Sequence, residues 1–475
     1  MSMAGGRSKN RNRSSTSSAS PVLGVTVLAI VAALTVLRLH LAFAGDLNEQ
    51  EALLSVCSFH PQGAYVEGPA GVPLLLSLFR GFLGLGVVTC RWISVLAALL
   101  LSWSVWWMTS RLAPRSPSLA LWAILALNLL PSVNLATLIM DGAMLSSSVI
   151  LMTLVAGWNT LTVPHGRGIT AWVLFGVSLG VGTLYFTPLG LIFPIALIAR
   201  VLLRKRSRDP VPWAGVFMAL VLLLAGFIPA LAWNAGHNWI EWSSVAEGFE
   251  SYSLVGVRFS LTLVVTLSAL TIPFLILLTT YGSLWRKLTV LILLGMAGVS
   301  GLMLLYPGML PALAPGLPSP FGVRGMGDLA QEIVSLRQER PDSKGGKAFL
   351  ISSTSGLAAL LGEKIQLCYP ECPGAPPVFV AETPSMNSSY SLWPSYADAV
   401  APAAKDLLYS EEKFVSPFLG RNALYITTES AQELPQTITS AFGAVGLLKE
   451  EPIISNGQQT IVRIYQCEGY RSLAL

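Results

Sequence analysis

Nine apolar segments, each long enough to cross a bilayer, limit the folds open to this chain. They lie near residues 21–43, 90–110, 117–137, 141–160, 168–185, 187–203, 212–233, 258–281 and 287–306. A transmembrane helix needs roughly 17 to 25 predominantly apolar residues. Charged residues make up 12% of the chain, about half of the ~25% that is typical of soluble domains. The sequence therefore predicts a polytopic α-helical membrane protein.

A tenth apolar stretch, residues 71–86, is shorter and carries Arg80 near its middle. Such a segment suits a helix that lies on the membrane surface or re-enters the membrane better than one that spans it. We therefore expect nine to ten membrane helices, with residues 71–86 as an interfacial helix.

Basic residues indicate how these helices are oriented, because Lys and Arg concentrate in short cytoplasmic loops. A cytoplasmic N-terminus leaves every inner connection basic, and the segments concerned are 111–116, 164–168, 204–210 and 285–287. The outer connections 44–70 and 234–257 then contain no Lys or Arg. The start also resembles a secretory signal with a cleavage site at residues 42–45, but its apolar run is about twice the usual length, which favours a retained anchor.

The pattern after residue 307 changes from continuous apolar runs to alternating strand and helix segments. We predict a disordered basic cytoplasmic tail over 1–20, a transmembrane domain over 21–307 with an outer loop at 44–70, and an extracytoplasmic α/β domain over 308–475. Three of the five cysteines fall in this last domain, and two of the three can pair in an oxidising compartment. They are Cys368, Cys372 and Cys467.

Acidic residues that this topology places on the outer side include Asp46, Glu49, Glu51, Glu67 and Asp141, and the outer segment "WNAGHNWIEW" adds Asn234, His237 and Glu241. Ionisable groups near membrane depth are costly and are usually functional. Their position on one side of the membrane favours a site that handles a lipid-borne substrate at the outer leaflet.

The order of these motifs resembles that of the GT-C membrane glycosyltransferases, and most nearly the protein O-mannosyltransferase and aminoarabinose transferase-like enzymes. The matching stretches are "QEALLS" (50–55), "GAYVEGPAG" (63–71), "LIMDGAML" (138–145), "LGVGTLYFTPL" (179–189) and "IPALAWNAGHNW" (228–239), with "YSLWPSY" (390–396), "LGRNALYITTE" (419–429) and "RIYQCEGY" (463–470) in the last domain. The resemblance covers almost the whole chain, and it rests on the order of the motifs more than on any one of them.

This resemblance implies an inverting transfer of a sugar from a polyprenyl-phosphate carrier to a lipid, glycan or protein acceptor at the outer face. A carboxylate deprotonates the acceptor hydroxyl. The resemblance leaves open a divalent cation and implies a bacterial inner membrane. The candidate catalytic residues are Glu51, Glu49 and Asp141. The candidate substrate-binding residues are Gln50, Glu67, Tyr185, Asn234 and His237, which lie in the matching stretches, and Arg258, a charge whose burial near membrane depth would be costly.

Three positions depart from the family pattern. Gln50 stands where the family has its catalytic Asp, Gly68 where many members carry Lys or His, and Tyr185 where many carry Lys. A Gln amide cannot accept a proton at neutral pH. Two explanations stay open: Glu51 or Glu49 acts as the base instead, or the protein is catalytically degenerate and binds a lipid-linked sugar or acts as a scaffold.

Simpler roles compete with these assignments. Glu51 and Asp141 can cap the helices that follow them, His237 can belong to a structural loop, and Arg258 can extend to lipid headgroups. A transporter would need internal repeats and ionisable groups at mid-bilayer, which the sequence does not display. The net charge of +5 is too small and scattered for a nucleic-acid partner.

Overall fold

The computed structural model describes fourteen parts of the chain. They are residues 21–44, 46–84, 86, 90–162, 168–207, 211–243, 254–280, 282–305, 322–339, 347–383, 388–398, 416–429, 434–455 and 458–472. The N-terminal tail over 1–20, for which the sequence predicts disorder, lies outside them.

Apolar helices build the N-terminal two thirds of the molecule. They are α1 (Pro21–Ala44), α2 (Glu49–Cys57), α3 (Gly71–Leu83), α4 (Trp92–Leu112), α5 (Pro117–Asn128), α6 (Pro131–Leu138), α7 (Ala143–Thr162), α8 (Gly168–Tyr185), α9 (Ile192–Ser207), α10 (Trp213–Gly236), α11 (Leu254–Leu278) and α12 (Ser283–Leu305). Two-residue strands β1 (Ala64–Tyr65) and β2 (Gly68–Pro69) form a hairpin before α3.

Seven of these helices are long and apolar enough to cross a membrane, as counted over the described residues. The bent pair α5 and α6, which turns by 59°, makes eight. The predicted span at 187–203 instead forms a 3₁₀ turn, Thr187–Leu191, followed by α9. Pro188 lies in the first turn of this 3₁₀ segment and lacks the N–H that would continue the preceding helix, so the apolar helix is shorter. The predicted polytopic membrane fold is confirmed.

The break between α5 and α6 is held by Arg38 of α1. Its Nε donates to Asn134 Oδ1 at 2.8 Å, and Nη1 and Nη2 donate to the side-chain and backbone oxygens of Asn128 at 2.9 Å each. Pro131 disfavours helical backbone at the residue before it, which ends α5 near this point. Arg38 is fully buried, so its guanidinium does not extend to lipid headgroups. Its hydrogen bonds instead stabilise the bend between α5 and α6.

Helix α3 is amphipathic, as expected for residues 71–86. Val72, Pro73 and Leu76 are buried, whereas Phe82 is 84% exposed. Arg80 turns away from the exposed apolar face. Its Nη2 donates to Ser55 Oγ at 2.7 Å and lies 3.2 Å from a carboxylate oxygen of Glu363. The helix is therefore anchored both to α2 and to the C-terminal part of the chain.

The C-terminal part is an α/β domain built on a five-stranded mixed sheet. Its elements are α13 (Met326–Glu339), β3 (Phe349–Ser352), α14 (Ser355–Lys364), β4 (Phe379–Val380), β5 (Ala423–Thr427), α15 (Gln436–Thr439), β6 (Phe442–Ser455) and β7 (Gln458–Tyr470). The strand order is β4-β3-β5-β7-β6, in which β3 pairs in parallel with β4 and β5, and the β6–β7 hairpin joins antiparallel.

Alternating side chains of the sheet enter two separate cores, because successive residues of a strand point to opposite faces. Leu350 and Ile426 pack beneath α13 and α14, whereas Phe349 and Tyr425 pack on the other face. All five cysteines are free thiols in the structure. Cys372 and Cys467 lie in the second core, and Cys368 is exposed.

Helix α2 joins the membrane helices to this domain. Leu53 and Val56 on one face pack against α14 residues such as Leu357. Leu54 belongs instead to the core that is formed by the membrane helices. At ~25 cal/mol per Å² of buried apolar surface, such contacts favour a fixed junction. The first loop is thus clamped between the two parts of the molecule.

Candidate functional site

Helix α2 starts with a capping box that sets the directions of its first three side chains. Asn48 Oδ1 accepts from the Glu51 N–H at 2.9 Å, and Glu51 Oε2 accepts from the Asn48 N–H at 3.2 Å. Successive residues of an α-helix point about 100° apart. Glu49, Gln50 and Glu51 therefore meet three different environments, although they are adjacent in sequence.

Glu51 points into the membrane helices and is fully hydrogen-bonded. Arg91 Nε donates to its Oε1 at 2.7 Å and Arg91 Nη2 to its Oε2 at 2.5 Å. The Met140 N–H donates to Oε1 at 2.7 Å. Both side chains of the Glu51–Arg91 pair are 0% exposed. The carboxylate thus ties α2 to the start of α4 and to the segment before α7.

Gln50 is buried without hydrogen bonds. Its side chain is 3% exposed, and neither its amide oxygen nor its amide nitrogen has a partner among the described residues. Buried polar groups are almost always hydrogen-bonded, so an unpaired amide calls for an explanation such as a ligand or a water. The Gln50 side-chain amide has one acceptor oxygen and two N–H donors.

Glu49 points toward the C-terminal domain. A Cβ added to Gly356 of α14 would lie 2.6 Å from Glu49 Oε2 and 2.9 Å from Glu49 Cβ, so this contact requires a glycine. The Glu49 carboxylate makes no hydrogen bond or ion pair with any described residue. Burial raises its pKa above the ordinary value. A raised pKa makes this carboxylate a stronger base than an ordinary Glu side chain.

Glu67 is buried in the turn between β1 and β2 and bonds to the C-terminal domain. Its Oε1 accepts from the Ser389 N–H at 2.8 Å, and its Oε2 accepts from the Ser389 hydroxyl. The Ser389 Oγ in turn accepts from the Val66 N–H at 3.1 Å. Burial raises the pKa of Glu67, although the bonds from Ser389 oppose that rise. Glu67 therefore lies at the junction, on the same side of α2 as α14.

The turn that follows Glu67 explains one departure from the family pattern. Gly68 has a φ of 129°, a conformation that is strained for any residue with a side chain. The Lys or His that many family members carry here would not fit this turn without a change in the backbone.

Asp141 is 2% exposed, and its Oδ1 accepts from the Ala143 N–H at 2.8 Å at the start of α7. It follows directly on Met140, whose backbone N–H donates to Glu51. Tyr185 ends α8, and its ring lies 2.7 Å from where a Cβ on Gly71 would be. It therefore lines the start of α3.

The segment at the end of α10 is held by local contacts. Asn234 Nδ2 donates to Glu241 Oε2 at 2.6 Å, and the His237 ring stacks on Trp233 with centroids 4.2 Å apart. Trp233 Nε1 donates to Gln62 Oε1 at 3.0 Å, which docks this segment on the first loop. Arg258 lies on α11, and its side chain is outside the described part of the structure.

The predicted site residues thus divide into groups. Glu51 and Asp141 face the membrane helices, Glu49 and Glu67 face the C-terminal domain, and Asn234 and His237 join the first loop through Trp233. Residue types and motif order did not identify Arg91, Gly356 or Ser389. Arg91 had a visible signal, since it is a charge at the start of a predicted span. Gly356 and Ser389 carried none.

Metal ligands are not clustered in the described part of the chain. Within the described ranges, no three His, Cys, Asp or Glu side chains converge in a way that could hold a metal ion. We assign no role to the divalent cation that the family resemblance leaves open.

Comparisons with known proteins support the fold. No family model matches the chain, and no curated protein matches it. Among solved structures, ArnT from Cupriavidus metallidurans in the apo state matches with a TM-score of 0.51 and 13% sequence identity, covering 94% of this chain and 98% of that one. The same protein bound to undecaprenyl phosphate matches with a TM-score of 0.49, 13% identity and the same coverage. The chain has an ArnT-like fold. At 13% identity the structural similarity shows the fold alone.

Because the pKa of Glu67 is raised, we expect the free energy of unfolding to depend on pH. The native state holds this proton more tightly than the unfolded chain, so the free energy of unfolding falls as pH rises from 4.5 through the raised pKa. One group contributes at most ~1.4 kcal/mol per pH unit to that slope. Glu49 contributes in the same direction. In Glu67→Gln we expect a flatter profile when thermal unfolding is followed between about pH 4 and pH 8. A variant with the wild-type slope would contradict the assignment.

Proposed function

We propose that the protein is a membrane glycosyltransferase that moves a sugar from a polyprenyl-phosphate carrier to an acceptor hydroxyl, with Glu49 as general base. The observation that carries this proposal is the Glu49 carboxylate, which is partly buried at the domain junction, has a raised pKa and makes no hydrogen bond or ion pair with a described residue. General-base catalysis works best when the pKa of the base lies near the operating pH.

The acceptor oxygen attacks the anomeric carbon while its proton passes to Glu49. The bond from that carbon to the phosphate oxygen breaks, and the carrier leaves as a polyprenyl phosphate with the electron pair. The configuration at the anomeric carbon inverts. Hydrogen-bond donors near the departing oxygen stabilise its developing charge.

Glu49 suits this role better than its neighbours do. Glu51 is saturated by Arg91 and by the Met140 N–H, so proton uptake would break a buried ion pair. Asp141 accepts the N–H that starts α7. We propose that Glu51 and Asp141 have a structural role and stabilise the segments that position Glu49.

Gln50 is proposed to bind substrate. Its unpaired amide offers a donor for a phosphate oxygen or a sugar hydroxyl and an acceptor for a second hydroxyl. We propose Glu67, Tyr185, Asn234, His237 and Arg258 as further contacts. Arg258 would supply positive charge to the phosphate, as expected for a group that stabilises a leaving anion.

We further propose that the N-terminus is cytoplasmic and that the C-terminal domain and the first loop are extracytoplasmic, in a bacterial inner membrane. The support is the sequence: the basic connections 204–210 and 285–287 alternate with loops that contain no Lys or Arg. The donor and acceptor would then meet at the outer leaflet.

The experiment that tests the function is a turnover assay of the purified protein in liposomes. The donors are polyprenyl-phosphate mannose, glucose and aminoarabinose, and the acceptors are lipid, glycan and protein fractions of the cell envelope. Sugar appearing in an acceptor fraction supports the transferase. Donor binding without transfer to any fraction supports the second candidate, a degenerate relative that binds lipid-linked sugar, which Gln50 at the family's Asp position favours.

The contact between Glu49 and Gly356 can be tested by substituting Gly356, with Gly362 on the same helix as the control. In Gly356→Ala the new methyl group would overlap Glu49, displace its carboxylate, and lower the transfer rate by about tenfold or more. Gly362→Ala lies on the same helix, and its Cβ would meet Pro377 at ordinary distances of 3.7–3.9 Å. Both changes raise helix propensity by ~1 kcal/mol, so equal rates in the two variants would contradict the placement of Glu49.

A further inference from the structure

A cavity of about 240 Å³ lies in the C-terminal domain, at the carboxyl ends of the parallel strands β3 and β4. Three chain segments line it: the turn from β3 into α14, the residues after β4, and the 3₁₀ segment that contains Tyr390. In open sheets with parallel strands, ligands bind outside the carboxyl ends of the strands. No residue of this cavity belongs to the catalytic group proposed above.

Hydroxyl groups and one carboxylate dominate the polar lining. The hydroxyl-bearing residues include Ser353, Thr354, Ser355, Ser391 and Ser395, and the carboxylate is Glu382. No Lys or Arg is among the residues that line it. A carboxylate without a basic partner disfavours a phosphate or another anion. Hydroxyls, which both donate and accept, suit a ligand that is itself rich in hydroxyls.

Apolar surfaces complete the lining. The prolines Pro376 and Pro394 are among the residues that line the same space. A sugar ring presents C–H faces as well as hydroxyls, and this mixture of ring and hydroxyl contacts matches it. The volume would hold roughly eight waters at ~30 Å³ each, which is also room for one monosaccharide unit.

The cavity also adjoins both carboxylates of the junction through neighbouring residues. Ser355 lines the cavity, and the next residue, Gly356, contacts Glu49. Tyr390 lines it, and the preceding residue, Ser389, bonds to Glu67. The lining of the cavity is therefore adjacent in sequence to one residue that contacts Glu49 and to one that bonds to Glu67.

We infer that this cavity binds one neutral sugar unit of a glycan, and that the C-terminal domain thereby presents a glycan acceptor to the junction. The acceptor role rests on the proposed transferase function, whereas the binding itself does not. The inference narrows the acceptor from lipid, glycan or protein to glycan.

The test uses the full-length protein in nanodiscs and measures hydrogen exchange of backbone amides with D-mannose, D-glucose, D-galactose or L-arabinose at millimolar concentration. We expect at least one sugar to protect the amides of residues 353–357 and 388–391. Ser391 is exposed and lines the cavity, so Ser391→Trp should fill it without unfolding the domain and weaken binding about tenfold, or ~1.4 kcal/mol. Thr439→Trp, which is exposed and outside the cavity, should bind as wild type.

The outcomes separate the two proposals. Sugar-dependent protection in a protein that never transfers sugar supports this inference and contradicts the transferase. Transfer to a glycan without protection of these amides by any of the sugars overturns this inference and leaves the transferase standing. Protection by inorganic phosphate and by none of the sugars would also overturn it, since the site would then be an anion site at the start of α14.

Discussion

Glu49→Gln is expected to lower the rate of sugar transfer by about 100-fold or more, because a positioned general base typically contributes 10²–10⁴-fold. Gln has nearly the same shape, and no described hydrogen bond or ion pair is lost, so the fold should be retained. The pH profile gives a second readout. Burial raises the pKa of Glu49, so the wild-type rate should rise with pH through that raised pKa, and this limb should vanish in the variant.

Asp46→Asn is the matched control for this change. Asp46 is exposed in the same loop, and its backbone carbonyl, rather than its carboxylate, accepts from Arg91. Its removal should leave the rate and the pH profile unchanged. A folded Glu49→Gln protein that transfers sugar at the wild-type rate would remove Glu49 as the base.

Glu51→Gln is expected to destabilise the protein by about 3–5 kcal/mol, the usual cost of removing one partner of a buried ion pair. The change leaves the Arg91 guanidinium, which is 0% exposed, without its anion. Thermal unfolding of the purified protein in detergent, followed by fluorescence, measures the loss. Arg91→Met should cost a similar amount, because it leaves the carboxylate uncompensated.

The double variant, Glu51→Gln with Arg91→Met, separates a structural role from a catalytic one. If the pair is structural, the two losses are not additive, and the double variant is more stable than the sum of the single changes predicts. If Glu51→Gln instead unfolds at the wild-type temperature and transfers no sugar, then Glu51 and not Glu49 is the base.

The membrane part of the fold could be read largely from the sequence. Each long apolar run forms a helix, since backbone groups in lipid must bond within their own segment. Two runs show the limit of a hydropathy criterion. Residues 117–137 form two helices bent by 59°, and Pro188 shortens the helix in 187–203 although the composition is apolar. The amphipathic pattern of 71–86 likewise gave α3, because polar and apolar residues alternate at helical spacing.

The candidate site could be predicted only in part. The sequence located the acidic residues of the first loop and the Gln at position 50, between two Glu residues. It did not rank Glu49 against Glu51. That ranking depends on Arg91, which lies forty positions after Glu51 and bonds to it, and on Gly356 in the other domain. Neither contact leaves a local pattern around residues 49–51.

The sequence by itself determined that this chain is a polytopic membrane protein with an acidic, lysine-free first loop, because hydrophobicity and charge act locally. Tertiary structure decided what each acid of that loop meets. Three adjacent side chains on α2 diverge by about 100° each, so one is neutralised in a buried ion pair, one is buried without a partner, and one stays a free carboxylate with a raised pKa. Those differences arise from desolvation and from partners distant in the chain, which residue order alone does not specify.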